Sequence, residues 1–112
     1  MKYLITESQA KIAAAFLKLD MKNFIQIKKD GDIYFVYSEG DKYAQIVYDN
    51  INRICFINFD LIKEISAILS LREYDSEQTV RKWVENTLQI KFWEIMVLTA
   101  PMRHHLMRVP SK

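Results

Sequence analysis

The sequence contains little cysteine, glycine or proline, with one cysteine, two glycines and two prolines in 112 residues. Because Cys55 is the single cysteine, an internal disulfide is excluded and a reducing compartment is the expected environment. So few glycines and prolines do not favour long flexible linkers, and the sequence has no glycine-rich phosphate-binding motif. A chain of this length accommodates one ordinary domain rather than two.

The sequence also lacks a long apolar run. The apolar stretch that follows Lys2 ends at the polar Thr6. We therefore expect neither a signal peptide nor a membrane span, and the expected location is the cytoplasm.

Charge is nearly balanced over most of the chain and positive at its end. The net charge is +2, to which residues 1–100 contribute −1 and residues 101–112 contribute +3. We therefore divide the chain into a domain over residues 1–100 and a basic C-terminal arm over residues 101–112. Any attraction to nucleic acid or to acidic partners is expected to come from the arm.

Residues 24–58 have the pattern of four short strands joined by tight turns. Asp30-Gly31 is a strong signal for a two-residue hairpin turn, and apolar residues alternate with polar ones on both sides of it. Consecutive hairpins of this kind indicate an antiparallel meander. The predicted strands cover residues 24–28, 33–38, 43–48 and 53–58.

Three helices are predicted around this meander, which makes the fold class α+β. The first helix begins at Thr6 with a capping box and ends near Met21. Asp60 is the expected N-cap of the second helix, and Asp75 or Ser76 that of the third. Residues 90–98 could extend the third helix, but their β-branched and aromatic content favours a fifth strand. Residues 101–112 show no periodicity and are predicted to form an extended tail.

The opening Ile-Thr-Glu-Ser-Gln stretch resembles the start of many small uncharacterised proteins of tailed bacteriophages. Those proteins tend to carry a later Trp-Val-Glu helix and a short apolar run, to which residues 82–85 and 88–91 are similar. The resemblance covers about ten N-terminal residues and residues 80–91, whereas residues 92–112 depart from it. It implies a phage origin and a small virion or host-directed protein, located in the host cytoplasm or the virion. It implies no known activity, so no functional residue is transferred.

The sequence shows no catalytic constellation, metal site or cofactor-binding motif. His104 and His105 are the only histidines, and adjacent residues of an extended chain point apart rather than converging on a metal. Cys55 lies between Ile54 and Phe56 in a predicted strand, where a small core residue is expected rather than a nucleophile. We therefore expect no metal, no cofactor and no enzymatic activity.

Two features favour protein binding. The predicted meander is rich in tyrosine, a residue enriched in binding surfaces because it combines apolar area with a polar tip. The arm combines apolar residues with cations, as a segment that docks on a second copy or on another protein would. The candidate partner-binding residues are Tyr34, Tyr37, Tyr43, Tyr48, Met102, Arg103, Leu106, Met107 and Arg108.

The resulting hypothesis is a non-catalytic protein-binding module whose partner is a second copy, a virion or assembly protein, or a host factor. The alternative is a small nucleic-acid-binding accessory protein, with weak affinity because the arm holds only three cations. A second alternative is an enzyme of unknown type. Half-buried sheet tyrosines and a solvated tail would account for the same residues without any partner.

Overall fold

The structure is a computed structural model that describes residues 24–92 and 94–110. The helix predicted over residues 6–21 falls outside these ranges. In the described part the fold is α+β, with a five-stranded mixed sheet and two long helices. None of the helices described is long and apolar enough to cross a membrane.

Four strands form the antiparallel meander that the alternating pattern predicts. They are β1 (Ile25–Lys29), β2 (Asp32–Val36), β3 (Ile46–Asp49) and β4 (Ile54–Asn58), and they are adjacent in chain order. The turn between β1 and β2 consists of Asp30 and Gly31, whose φ angles are 52° and 88°. Positive φ at both central residues is the requirement of a type I′ turn, which explains the Asp-Gly pair.

The fifth strand, β5 (Glu94–Leu98), is parallel to β4 and completes the sheet in the order β1-β2-β3-β4-β5. A parallel neighbour requires a long crossover connection. Helices α1 (Phe59–Leu69) and α2 (Glu73–Leu88) form that connection. The sequence therefore predicted the fifth strand correctly, and its parallel pairing makes the sheet mixed.

Both long helices begin earlier than predicted. The side-chain oxygen of Asn58 accepts a 2.9 Å bond from the backbone N–H of Asp60, so Asn58 and not Asp60 is the N-cap of α1. Helix α2 begins after Arg72, which makes no side-chain cap. Ser76 is instead buried between the helices, where its hydroxyl lies 2.7 Å from that of Ser66.

The sheet has apolar side chains on both faces, and different parts of the chain cover each face. Helices α1 and α2 cover the first face, where the buried residues are Phe24, Phe35, Ile46, Tyr48, Cys55, Ile57, Leu61, Ile62, Ile65, Val80, Val84 and Phe92. The second face carries Tyr34, Val36, Val47, Phe56 and Leu98, and these pack with Ala44 and Met107. The C-terminal segment therefore supplies part of the second core.

The C-terminal segment is not the extended tail that the sequence predicted. Residues Met102–Leu106 form a short helix, α3. The chain then pairs with the segment before β3 through an antiparallel bridge between Arg108 and Tyr43. The prediction failed because five helical residues are too few to show a periodic pattern.

Candidate functional site

Helix α3 is fixed to the second face of the sheet by the residues that follow it. The side chain of Met107 has no exposed surface and lies in the second core. The backbone N–H of Ala44 donates to the Met107 carbonyl over 2.8 Å, and the N–H of Val109 donates to the Lys42 carbonyl over 2.8 Å. These contacts determine how α3 is oriented on the domain.

Arg103 provides a second anchor for α3. Its Nη1 donates to Asp60 Oδ2 over 2.7 Å and to Asn58 Oδ1 over 3.0 Å. Asn58 in turn donates from Nδ2 to Gln45 Oε1 over 3.2 Å. Because Asn58 is buried and also caps α1, the Arg103 contact ties α3 to the junction of β4 and α1.

The outer face of α3 is apolar. Met102 and Leu106 are four residues apart and therefore share one face of the helix. Their side chains are 49% and 38% exposed, respectively. Arg103 and Met107, also four residues apart, occupy the inner face, which explains why Met102 and Leu106 remain partly exposed to solvent.

Strand β5 precedes α3 in the chain, and its Leu98 shares the second core with Met107. Met96 is paired with Phe56 and so lies on the second face of the sheet, the face on which α3 packs. Its side chain is exposed. In the part of the chain that the structure describes, β5 pairs only with β4. We call Met96, Met102 and Leu106 the α3–β5 surface.

The structure does not bring the four predicted tyrosines onto one surface. Tyr34 and Tyr48 lie on opposite faces of the sheet and are 9% and 1% exposed. Tyr37 is exposed and stacks on Phe24 at a ring distance of 4.9 Å. Tyr43 lies in the bridge to Arg108. Alternation along the paired strands places Tyr34 and Tyr48 on opposite faces, so the four candidate tyrosines do not form one binding surface.

Of the predicted arm residues, only some are placed to meet a partner. Met102, Leu106 and Arg108 are exposed, whereas Met107 is buried and Arg103 is engaged with Asp60. Met107 is therefore removed from the candidate partner-binding set, as are the buried Tyr34 and Tyr48. The sequence offered no signal for the contact of Arg103 with Asn58 and Asp60, because 43 residues or more separate these positions along the chain.

Cys55 is a buried core residue, in agreement with the sequence. Burial raises the pKa of its thiol to about 12, so the thiolate is not formed at neutral pH. Within residues 24–92 and 94–110, no group of three or more His, Cys, Asp or Glu is arranged to hold a metal ion. His105 is exposed on α3.

Comparison of the chain with protein-family models, with curated protein sequences and with solved structures found no match.

Proposed function

We propose that the chain is a non-catalytic protein-binding module whose partner contacts the α3–β5 surface. The observation that carries the proposal is the orientation of α3. Its inner face is held by Met107 and by the Arg103–Asp60 ion pair, and its outer face presents Met102 and Leu106 to solvent. The backbone of a helix that is already held in place loses little conformational freedom on binding.

The composition of this surface is suited to a protein partner. Methionine is enriched in the buried centres of protein interfaces. It also adapts its shape to irregular partner surfaces because its side chain is flexible and polarisable. Met96 and Met102 provide two such side chains. Among the described residues β5 is at the edge of the sheet, and sheet edges are themselves common binding elements.

The resemblance to small proteins of tailed phages extends the proposal to the kind of partner. On this basis we place the partner among a second copy of the chain, virion or assembly proteins, and host factors, in the virion or the host cytoplasm. The nucleic-acid alternative depends on Arg103 and Arg108. It receives less support because Arg103 already donates to Asp60 and Asn58.

The proposal is tested with the double variant Met102→Ser/Leu106→Ser. Tagged wild-type and variant proteins are incubated with nuclease-treated extract of infected cells, and the bound proteins are identified by mass spectrometry. Self-association is measured separately by sedimentation equilibrium. We expect the variant to lose the partner, or the dimer, that the wild type forms, and to keep the circular dichroism spectrum of the wild type.

A matched control is Ile68→Ser, because Ile68 is 50% exposed on α1 rather than on α3. This variant should retain the partner. Equal retention by wild type, control and double variant would exclude the α3–β5 surface. A parallel sample is left without nuclease, and binding that occurs only in that sample would favour the nucleic-acid alternative instead.

A further inference from the structure

A cleft of about 420 Å³ lies at the opposite end of the β-strands from the Arg103 anchor. It opens where helix α2 ends at Leu88, next to the turn between β1 and β2. Gln89 follows with a φ of 57°, and the chain then leaves for β5. The helix therefore does not cover the corner of the sheet nearest to Lys28.

The lining of the cleft combines apolar side chains with the polar residues Lys28, Lys29, Asp30, Asp32 and Asn50. Its lining includes Ile33, Tyr48, Leu88 and Ile90, all of which are buried or half-buried. Pockets that bind small molecules typically measure ~300–1,000 Å³ and are lined mainly by apolar side chains with a few polar groups. The volume of this cleft falls within that range, and its lining holds more polar groups than is typical.

The charges around the cleft divide between the two faces of the sheet. Lys28 is directly opposite Ile33 in the β1–β2 pair and so lies on the face of the cleft. Lys29 is opposite Asp32, one residue further along, and both therefore belong to the other face. There the Tyr34 hydroxyl lies 3.5 Å from Asp32 Oδ2.

Both Lys28 and Lys29 line the cleft, and Lys28 is the one that lies on the same face of the sheet as Ile33. Its ammonium forms no ion pair with any carboxylate that the structure describes. Asp30 lies in the turn two residues after Lys28 and is exposed.

We propose that this cleft binds a small organic anion with an apolar body, of the aryl- or alkylcarboxylate class. The apolar body lies against Ile33, Leu88 and Ile90, and the carboxylate pairs with the Lys28 ammonium. The site is separate from the α3–β5 surface, so the proposal does not depend on the protein-binding function.

Two probes with the same apolar body distinguish binding of that body in the cleft from pairing of the carboxylate with Lys28. 4-Phenylbutyrate carries the carboxylate, and 3-phenyl-1-propanol carries a neutral hydroxyl on the same phenylpropyl group. Each is titrated into the ¹⁵N-labelled full chain, and amide shifts are followed by NMR. We expect both probes to shift the amides of residues 28–33 and 88–90. We expect the carboxylate to bind about two- to fivefold more tightly, as befits a solvent-exposed ion pair.

The variant Lys28→Gln should remove the preference for the carboxylate and leave the affinity for the alcohol unchanged. Lys63→Gln, on the exposed side of α1, is the matched control and should keep the preference. Shifts that are absent from residues 28–33 and 88–90, or that concentrate on α3, would overturn the proposal. A preference that survives in Lys28→Gln would overturn the assignment of the anion to Lys28.

Discussion

The substitution Met107→Ala tests whether the C-terminal segment is part of the domain or an arm attached to it. Met107 has no exposed surface and contacts the second core, which includes Val36, Val47 and Phe56. Removing a fully buried methionine side chain typically costs about 2–5 kcal/mol, from lost apolar burial and from the cavity left behind. We expect the free energy of unfolding to fall by about 3 kcal/mol.

Met102→Ala provides the matched control, because it removes the same atoms from a position five residues earlier in the same segment. Met102 is 49% exposed, so its substitution should change the free energy of unfolding by less than about 0.5 kcal/mol. Both variants are compared with wild type by urea denaturation, followed by circular dichroism and by tryptophan fluorescence. Equal effects of the two substitutions would show that Met107 is not packed as described.

If Met107→Ala lowered the free energy of unfolding by less than about 1 kcal/mol, the substitution would cost less than is typical for a core position. This result would show that the segment detaches at little cost while the sheet stays folded. The apolar residues of the second face would then be accessible in part of the population, and the boundary predicted at residue 100 would describe the stable domain. Amide hydrogen exchange at Ala44 and Val109 separates this case from simple tolerance of the substitution, because these amides bond to the segment or lie within it.

Three further predictions concern the sheet. Gly31→Ala should lower the free energy of unfolding by roughly 1–2 kcal/mol, because the φ of Gly31 is 88°. Gly40→Ala is the control and should leave it unchanged, because no atom lies within 4 Å of the added methyl group. Equal urea midpoints for the two variants would contradict this prediction. Burial raises the pKa of Asp32, and so does the negative charge of Asp49, which is directly opposite on β3. Asp32→Asn should therefore stabilise the fold by about 0.5 kcal/mol at pH 7. That gain should vanish as the pH falls through the raised folded pKa and below the ordinary aspartate value of ~3.9, and a constant gain in urea melts down to low pH would refute it. Finally, the Cys55 thiol, with a pKa of about 12, should react with a disulfide reagent at pH 8 only after denaturation, so rapid reaction of the folded protein would disprove its burial.

The strands could be predicted from the sequence because their signals are local. Asp30-Gly31 specifies a two-residue turn through its own backbone preferences. The alternation of apolar and polar residues around it predicts strands with one buried face. The same signals could not show that both faces are covered. Tyr34 and Tyr48 both fit a half-exposed strand, yet each packs in a different core.

The helix starts could not be predicted as well, because several residues near each start can act as caps. Asn58, Asp60, Asp75 and Ser76 all have side chains that are favoured at N-caps. At the first helix, Asn58 is the cap because β4 ends at that residue and the helix follows directly. At the second, contact with Ser66 draws Ser76 into the space between the helices. Both decisions depend on packing between segments, which a local pattern does not contain.

The C-terminal segment shows why its two faces could not be assigned from the sequence. Met102 with Leu106, and Arg103 with Met107, are both four residues apart, and hydrophobicity alone would turn the first pair inward. The structure does the reverse because oxygens of Asn58 and Asp60 lie where the Arg103 guanidinium can donate to them. Burial of Met107 then follows from the same helical spacing. The two apolar side chains left in solvent are thus a consequence of where a charge is satisfied, and the α3–β5 surface could only be located once that contact was known.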